Sequence, residues 1–230
     1  MADVRLFGAP ISPFVDKTRR AIRLKDLSLE LVEPRRMSEF SAWSPQTRKM
    51  PVAEIEGERI YDSTFILRRL DEIAPEPALF SSEPAAAAAQ RLLEDWADES
   101  LYWLRMSILW SDPDRAADVI LETMSIPALL RPLARMGVKR QMTAAARAQG
   151  YGRLPREVLV RELGERCDDL NRLLGDRPFF HGDAISAADL AVCAQLHFGV
   201  AAPPDEFPEA VNTRPGLRSW KERVDKATAG

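Results

Sequence analysis

Hydrophobic and polar positions in the first third of the chain follow the pattern of short strands separated by a helix. Residues 4–8 and 29–33 are predicted strands, and the segment between them is a predicted amphipathic helix. The apolar positions that share one face of this helix are Val15, Ala21, Ile22 and Leu24. This order predicts a β-α-β unit at the start of the chain.

A β-hairpin and a second helix are predicted next. Residues 50–55 alternate like a strand, 56–58 have the composition of a turn, and 59–61 return as the second strand. A helix then begins at Asp62-Ser63. Its buried positions recur at steps of three and four, at Ile66, Leu67, Leu70 and Ile73.

Strand patterns are confined to this first part. Residues 75–84 contain three prolines and no periodicity, as expected of a linker. The helices predicted beyond it cover 85–110, 114–148 with breaks near Pro127 and Pro132, 156–174, 186–199 and 214–227. The prediction is an α/β domain at 1–74, a linker at 75–84 and an all-α domain at 85–230.

Composition removes several classes of function. The chain has 32 Lys and Arg against 35 Asp and Glu, so its net charge of −3 gives no global attraction to nucleic acid or to an anionic membrane. Cys167 and Cys193 are far apart and form no C-x-x-C motif, and no metal-ligand spacing is present. The first residues lack a secretory signal, and no apolar run is long enough for a membrane anchor. We therefore expect a cytoplasmic protein.

Charge is nevertheless distributed unevenly in the second part. Residues 126–156 hold seven Lys or Arg and no acid, whereas 91–122 hold eight acids and three arginines. No nucleic-acid-binding motif accompanies the basic stretch. The pattern favours two facing helices whose charges neutralise each other.

Four short motifs occur in order along the chain. They are S-P-F-V at 12–15, K-M-P-V at 49–52, D-S at 62–63 and I-S-A-A-D-L-A at 185–191. With these motifs the chain resembles the cytosolic glutathione transferases over nearly its full length. The resemblance implies a thioredoxin-like, glutathione-binding first domain, an all-helical second domain and a homodimer.

Ser12 precedes Pro13 where a strand gives way to a helix, and this pair is typical of a helix N-terminus. The residues alone therefore favour a cap. The resemblance implies instead that the Ser12 hydroxyl faces the sulfur of glutathione and stabilises its thiolate. Val15 occupies the position of the second cysteine in thioredoxin-like C-x-x-C motifs, so a dithiol oxidoreductase is excluded at this site.

The remaining glutathione-binding candidates come from the same motifs. The resemblance implies a cis Met50–Pro51 bond that presents the Met50 backbone to the tripeptide, with Phe14 nearby. Asp62-Ser63 is by itself a helix start, but a carboxylate, a hydroxyl and exposed amides together also suit the zwitterionic γ-glutamyl end. Lys49 is a candidate for the glycyl carboxylate.

Aromatic and methionine side chains recur on one face of the helix predicted from Ala85. Such stripes usually belong to a core. In the family this helix overlooks the glutathione site and contributes to the dimer, so Tyr102 and Met106 are candidates for a pocket that takes an apolar co-substrate. The sequence alone does not decide whether these side chains belong to the core, to a co-substrate pocket or to a dimer interface.

Two readings of the function follow. The first is a transferase that conjugates glutathione to, or reduces, small hydrophobic electrophiles in detoxification. The second arises because segments at 98–103, 138–142 and 150–153 also resemble the metaxin and failed-axon branch, whose members are better known as interaction proteins. Ser186 and Asp189 fit a capping box with Ile185 and Leu190 as a hydrophobic staple, and no chemistry is assigned to them.

Overall fold

A four-stranded mixed sheet forms the first part of the computed structural model, which describes residues 3–36, 38–123, 126–197 and 204–229. Its strands are β1 (Asp3–Phe7), β2 (Ser28–Val32), β3 (Val52–Ile55) and β4 (Glu58–Tyr61). Their order is β2-β1-β3-β4, with β1 parallel to β2 and the other pairs antiparallel. The predicted β-α-β unit and hairpin are confirmed, with small shifts at the strand ends.

Three helices accompany the sheet: α1 (Pro13–Leu24), α2 (Ser38–Trp43) and α3 (Ser63–Ile73). Val4 and Leu6 lie on the same face of β1, because alternate side chains of a strand point to the same side. Both are buried in the main core together with residues of α1 and α3. Helix α2 is absent from the sequence prediction, since six residues are too few to show a helical period.

From Pro84 onward the regular elements of the described residues are helices, apart from one isolated bridge between Phe179 and Gly182. The α-helices are α4 (Pro84–Trp96), α5 (Tyr102–Leu109), α6 (Pro113–Glu122), α7 (Arg131–Gln149), α8 (Arg156–Leu174), α9 (Ala187–Leu196), α10 (Glu206–Asn212) and α11 (Pro215–Ala227). A π-helical turn at Ala97–Leu101 joins α4 to α5, and 3₁₀ turns occupy Ala128–Leu130 and Tyr151–Arg153. The predicted fold class, a thioredoxin-like domain followed by a helical region, is confirmed.

The predicted interruption near Pro127 and Pro132 is confirmed, because α6 ends at Glu122 and α7 begins at Arg131. Pro132 lies in the first turn of α7, where the missing amide hydrogen has no helical partner to lose. Two other helix limits differ from the prediction. Helix α9 ends at Leu196, and the predicted extension to 199 falls partly on residues 198–203, which lie outside the described residues. Helix α10 was not predicted.

Helix α9 lies at the centre of the main hydrophobic core, and all ten of its residues are buried. The predicted capping box at its start is confirmed: the Asp189 carboxylate accepts hydrogen bonds from the Ser186 backbone and hydroxyl, and also from the Phe180 backbone and the Trp220 indole. One buried carboxylate therefore ties the start of α9 to α11 and to the segment before α9.

The predicted charge compensation between two helices of the second part is confirmed. Arg135 of α7 pairs with Asp114 and Asp118 of α6, and Lys139 pairs with Asp114. Within the residues that the structure describes, no helix combines the length and the hydropathy needed to cross a bilayer.

Candidate functional site

Ser12 stands at the N-terminus of α1, where the chain leaves β1. Its backbone carbonyl accepts the first helical bond, from the Asp16 amide at 2.9 Å, but its side chain makes no capping hydrogen bond. The residue is only 8% exposed. The hydroxyl is therefore available to a ligand at the positive end of the α1 dipole.

Phe14 links this helix start to the helical region. Its ring lies 5.0 Å from the Tyr102 ring of α5, and Tyr102 in turn makes an edge contact with Trp103. The structure thus brings Tyr102 close to the α1 N-terminus. Met106, one turn further along α5, is only 7% exposed and packs with Trp110, so it offers a co-substrate little surface.

Met50 lies over the loop between β1 and α1. The Ala9 amide donates to the Met50 Sδ at 3.1 Å, and the Met50–Pro51 bond is cis, as the resemblance implies. This places the K-M-P-V motif beside the segment that carries Ser12. Lys49 has an exposed side chain, and its backbone amide donates a hydrogen bond to the Thr47 hydroxyl at 3.2 Å.

Asp62 and Ser63 begin α3 as predicted. Asp62 has a positive φ of 77°, and its Oδ1 accepts a hydrogen bond from the Thr64 amide at 2.9 Å. The carboxylate therefore caps the helix while it remains exposed, and Ser63 is buried beneath it. Capping and ligand binding are compatible here, since the second carboxylate oxygen is not used by the cap.

Directly behind α3 lies a buried ionic cluster that the sequence analysis missed. The Lys17 ammonium of α1 donates to Glu94 Oε1 at 2.7 Å and to Asp98 Oδ2 at 2.5 Å. Thr64 of α3 donates to the same Glu94 oxygen at 2.9 Å. Residues of four elements, α1, α3, α4 and the π-helical turn, thus meet at this cluster. The available signal in the sequence was Lys17 itself, which falls on the same helical face as the apolar Ala21 and Leu24.

The cluster is not neutral when fully ionised, because one ammonium faces two carboxylates. Burial, opposed by Lys17, raises the pKa of Asp98 to about 6, and Glu94 and Asp62 add to the rise. Burial alone would lower the pKa of Lys17, but the two carboxylates outweigh it and the pKa is raised. Asp98 Oδ1 is buried and has no hydrogen-bond partner among the described residues.

The raised pKa of Asp98 predicts a pH-dependent stability. Between about pH 4 and pH 6 the folded state holds a proton at Asp98 that the unfolded state has already lost, so the free energy of unfolding falls as pH rises through this window. Two pKa units correspond to about 3 kcal/mol at most. Urea unfolding at pH 4.5 and pH 7 measures the difference, and Asp98→Asn is expected to remove most of it.

Asp95→Asn is the matched control, because Asp95 is an exposed carboxylate one turn before Asp98. It should leave the slope of stability against pH unchanged. An Asp98→Asn variant with the full wild-type slope would contradict the assignment.

The cysteines and histidines contribute no alternative centre. Burial raises the pKa of the Cys167 thiol to about 11 and of the Cys193 thiol to about 12, so neither is a ready nucleophile near neutral pH. Burial also lowers the pKa of His181 and His197. Across residues 3–36, 38–123, 126–197 and 204–229, no group of three potential ligands is placed to hold a metal ion.

Known proteins resemble this chain in sequence. Residues 6–78 match the family model described as the glutathione S-transferase N-terminal domain. The isoprene-epoxide–glutathione S-transferase of Rhodococcus sp. strain AD45 is 25% identical over 97% of this chain and 95% of its own length. A probable glutathione S-transferase of tobacco is 32% identical, over 40% of this chain and 42% of that protein.

Solved structures share the fold. The beta-etherase LigF of Sphingobium superposes with a TM-score of 0.71 at 20% identity, covering 96% of this chain and 94% of that one. A rice glutathione S-transferase solved in complex with glutathione gives a TM-score of 0.67 at 22% identity, over 98% and 87% of the two chains. At these identities the superpositions establish the fold alone.

Proposed function

We propose that this chain belongs to the cytosolic glutathione S-transferase family, binds glutathione, converts its thiol to a thiolate and transfers that thiolate to small hydrophobic electrophiles. The observation that carries the proposal is Ser12: a nearly buried hydroxyl at a helix N-terminus that makes no capping bond. A hydroxyl that served only as a cap would be bonded to the first-turn amides.

The chemistry requires a shift in the pKa of the glutathione thiol. A free thiol has a pKa near 8.5, so only a few per cent is thiolate at neutral pH. Lowering the pKa by about two units takes roughly 2.7 kcal/mol. The α1 dipole supplies about 0.3–1 kcal/mol and a hydrogen bond to the anion about 1.5–3 kcal/mol. The Ser12 O–H would therefore donate to the sulfur, and the sulfur would attack the electrophile.

The tripeptide would be held by the motifs around Ser12. The Met50 backbone would pair with its cysteinyl part in the manner of an added strand, with Pro51 shaping the turn and Phe14 forming one wall. The Asp62 carboxylate would form an ion pair with the ammonium of the γ-glutamyl residue. Ser63 and the backbone amides at the start of α3 would bind the carboxylate of the same residue. Lys49 would meet the glycyl carboxylate.

Tyr102 supports an apolar co-substrate site, since its ring packs on Phe14 beside the α1 N-terminus. Met106, which is only 7% exposed, is left out of the proposed pocket. The Rhodococcus relative is an isoprene-epoxide–glutathione S-transferase, and this name supports epoxides as one class of electrophile for this chain. Leu92 of α4 is an apolar side chain that is 72% exposed, and exposed apolar side chains of this kind support a homodimer. We propose that the protein acts in detoxification in the cytoplasm.

Calorimetry with glutathione tests the proposal. We expect binding with a Kd on the order of 0.1 mM, and about tenfold weaker binding in Asp62→Asn. Asparagine retains the helix cap and tolerates the positive φ, so this substitution removes only the charge that answers the ammonium. Asp95→Asn, which changes an exposed carboxylate elsewhere, should bind like the wild type.

The absence of detectable heat at millimolar glutathione would contradict the proposal. Binding without turnover over a broad panel of electrophiles would instead favour the metaxin-like interaction protein, which the comparisons do not favour.

A further inference from the structure

Helix α7 has one face that the described part of the chain leaves exposed. Its other face is covered by neighbouring elements. Val138 and Met142 pack on the cluster around Trp110. Arg135 and Lys139 form ion pairs with carboxylates of α6. On the open face, Leu133 and Met136 are each 63% exposed, although large apolar side chains of this kind are normally buried. Leu129, in the turn before the helix, is 91% exposed.

The open face has the spacing of a helix-pairing surface. Its side chains follow at alternating steps of three and four: Leu133, Met136, Arg140, Thr143 and Arg147. This is the period with which one helix packs along another. From Leu133 to Arg147 the stripe runs roughly 21 Å. An open groove of about 640 Å³ lies between this face and α6, lined by Met136, Arg140, Thr143 and Arg147 of the stripe and also by Arg135, Lys139, Ala144, Pro113 and Pro132.

The charge on this stripe is not compensated within the described part of the chain. Arg135 and Lys139 have their carboxylates on α6, whereas no described carboxylate lies within ion-pair distance of Arg140 or Arg147. Covering two guanidinium groups without partners would cost several kcal/mol each. Whatever covers the stripe must therefore bring anionic groups to its second half and apolar groups to its first.

We propose that the open face of α7 docks an acidic amphipathic helix of a partner protein. Apolar side chains of that helix would pack on Leu133 and Met136, and carboxylates one to two turns further along would pair with Arg140 and Arg147. An anionic membrane fits less well, because the arginines lie on the same line as the apolar residues and would be pressed into hydrocarbon. The inference is independent of the glutathione chemistry.

A synthetic helical peptide of about three heptads tests the proposal, with leucine at the core positions facing Leu133 and Met136 and glutamate at those facing the arginines. Fluorescence anisotropy of the labelled peptide with the full chain should give a Kd on the order of 10 μM. The double variant Arg140→Glu/Arg147→Glu should bind at least tenfold more weakly. A peptide with lysine in place of glutamate should bind this variant and not the wild type.

Arg172→Glu is the matched control, since Arg172 is an exposed arginine on α8 that forms a surface ion pair with Asp169. It should leave peptide affinity unchanged. Failure of the peptide to bind at millimolar concentration, or equal binding by wild type and double variant, would overturn the proposal. So would arginine-dependent binding to phosphatidylserine vesicles without peptide binding, or self-association that the double variant abolishes.

Discussion

Replacement of Ser12 by alanine is expected to lower turnover about 10- to 100-fold while glutathione affinity changes little. The proposed hydroxyl bond to the thiolate would be worth about 1.5–3 kcal/mol and would be made to the charged sulfur, so its loss would remove stabilisation of the anion more than binding of the tripeptide. Steady-state kinetics with 1-chloro-2,4-dinitrobenzene and with an epoxide measure the first quantity. Calorimetry with glutathione measures the second.

Two controls make this result specific. Ser12→Thr keeps a hydroxyl at the same position and should retain most of the activity. Ser82→Ala removes an exposed hydroxyl in the segment before α4 and should have no effect. Full activity in Ser12→Ala would contradict a catalytic role and would leave Ser12 only as the residue at which α1 begins.

Replacement of Asp189 by alanine is expected to lower the free energy of unfolding by about 3–5 kcal/mol. Its fully buried carboxylate accepts four hydrogen bonds, and each donor would be left unpaired in the core. One of these donors is the indole of Trp220, which is itself fully buried. Urea denaturation followed by tryptophan fluorescence measures the loss.

Asp183→Ala is the appropriate comparison, because Asp183 is an exposed carboxylate six residues earlier in the same segment. It should change stability by less than about 0.5 kcal/mol. If Asp189→Ala unfolded at the wild-type urea concentration, the buried capping box would not be a main determinant of the position of α9.

The first part of the fold was predictable because its signals are local. Alternation marked β3 and β4, and the capping residues at Asp62 marked the start of α3. Helix α2 was missed because it is shorter than two helical turns, and the π-helical turn at Ala97–Leu101 was missed because the apolar period continues through it. The α6–α7 charge pairing was predicted because acids and bases are segregated in the sequence.

The candidate site was predictable only where it coincides with motifs. Ser12, Met50 and Asp62 lie in recognisable short stretches, but the Lys17 cluster joins residues that are 77 and 81 positions apart. No local pattern records such a contact, because it depends on how α4 and the π-helical turn pack against α1. Burial of Met106 has a similar origin, because it belongs to a cluster that joins α5 to residues of α6 and α7 that are distant in sequence.

Ultraviolet titration of the thiolate of bound glutathione tests the central claim most directly. With the wild-type protein, thiolate absorbance should appear with a midpoint about two pH units below that of free glutathione, and in Ser12→Ala the midpoint should return most of the way. A bound thiol that stays protonated well above neutral pH, or an unchanged midpoint in Ser12→Ala, would contradict the account.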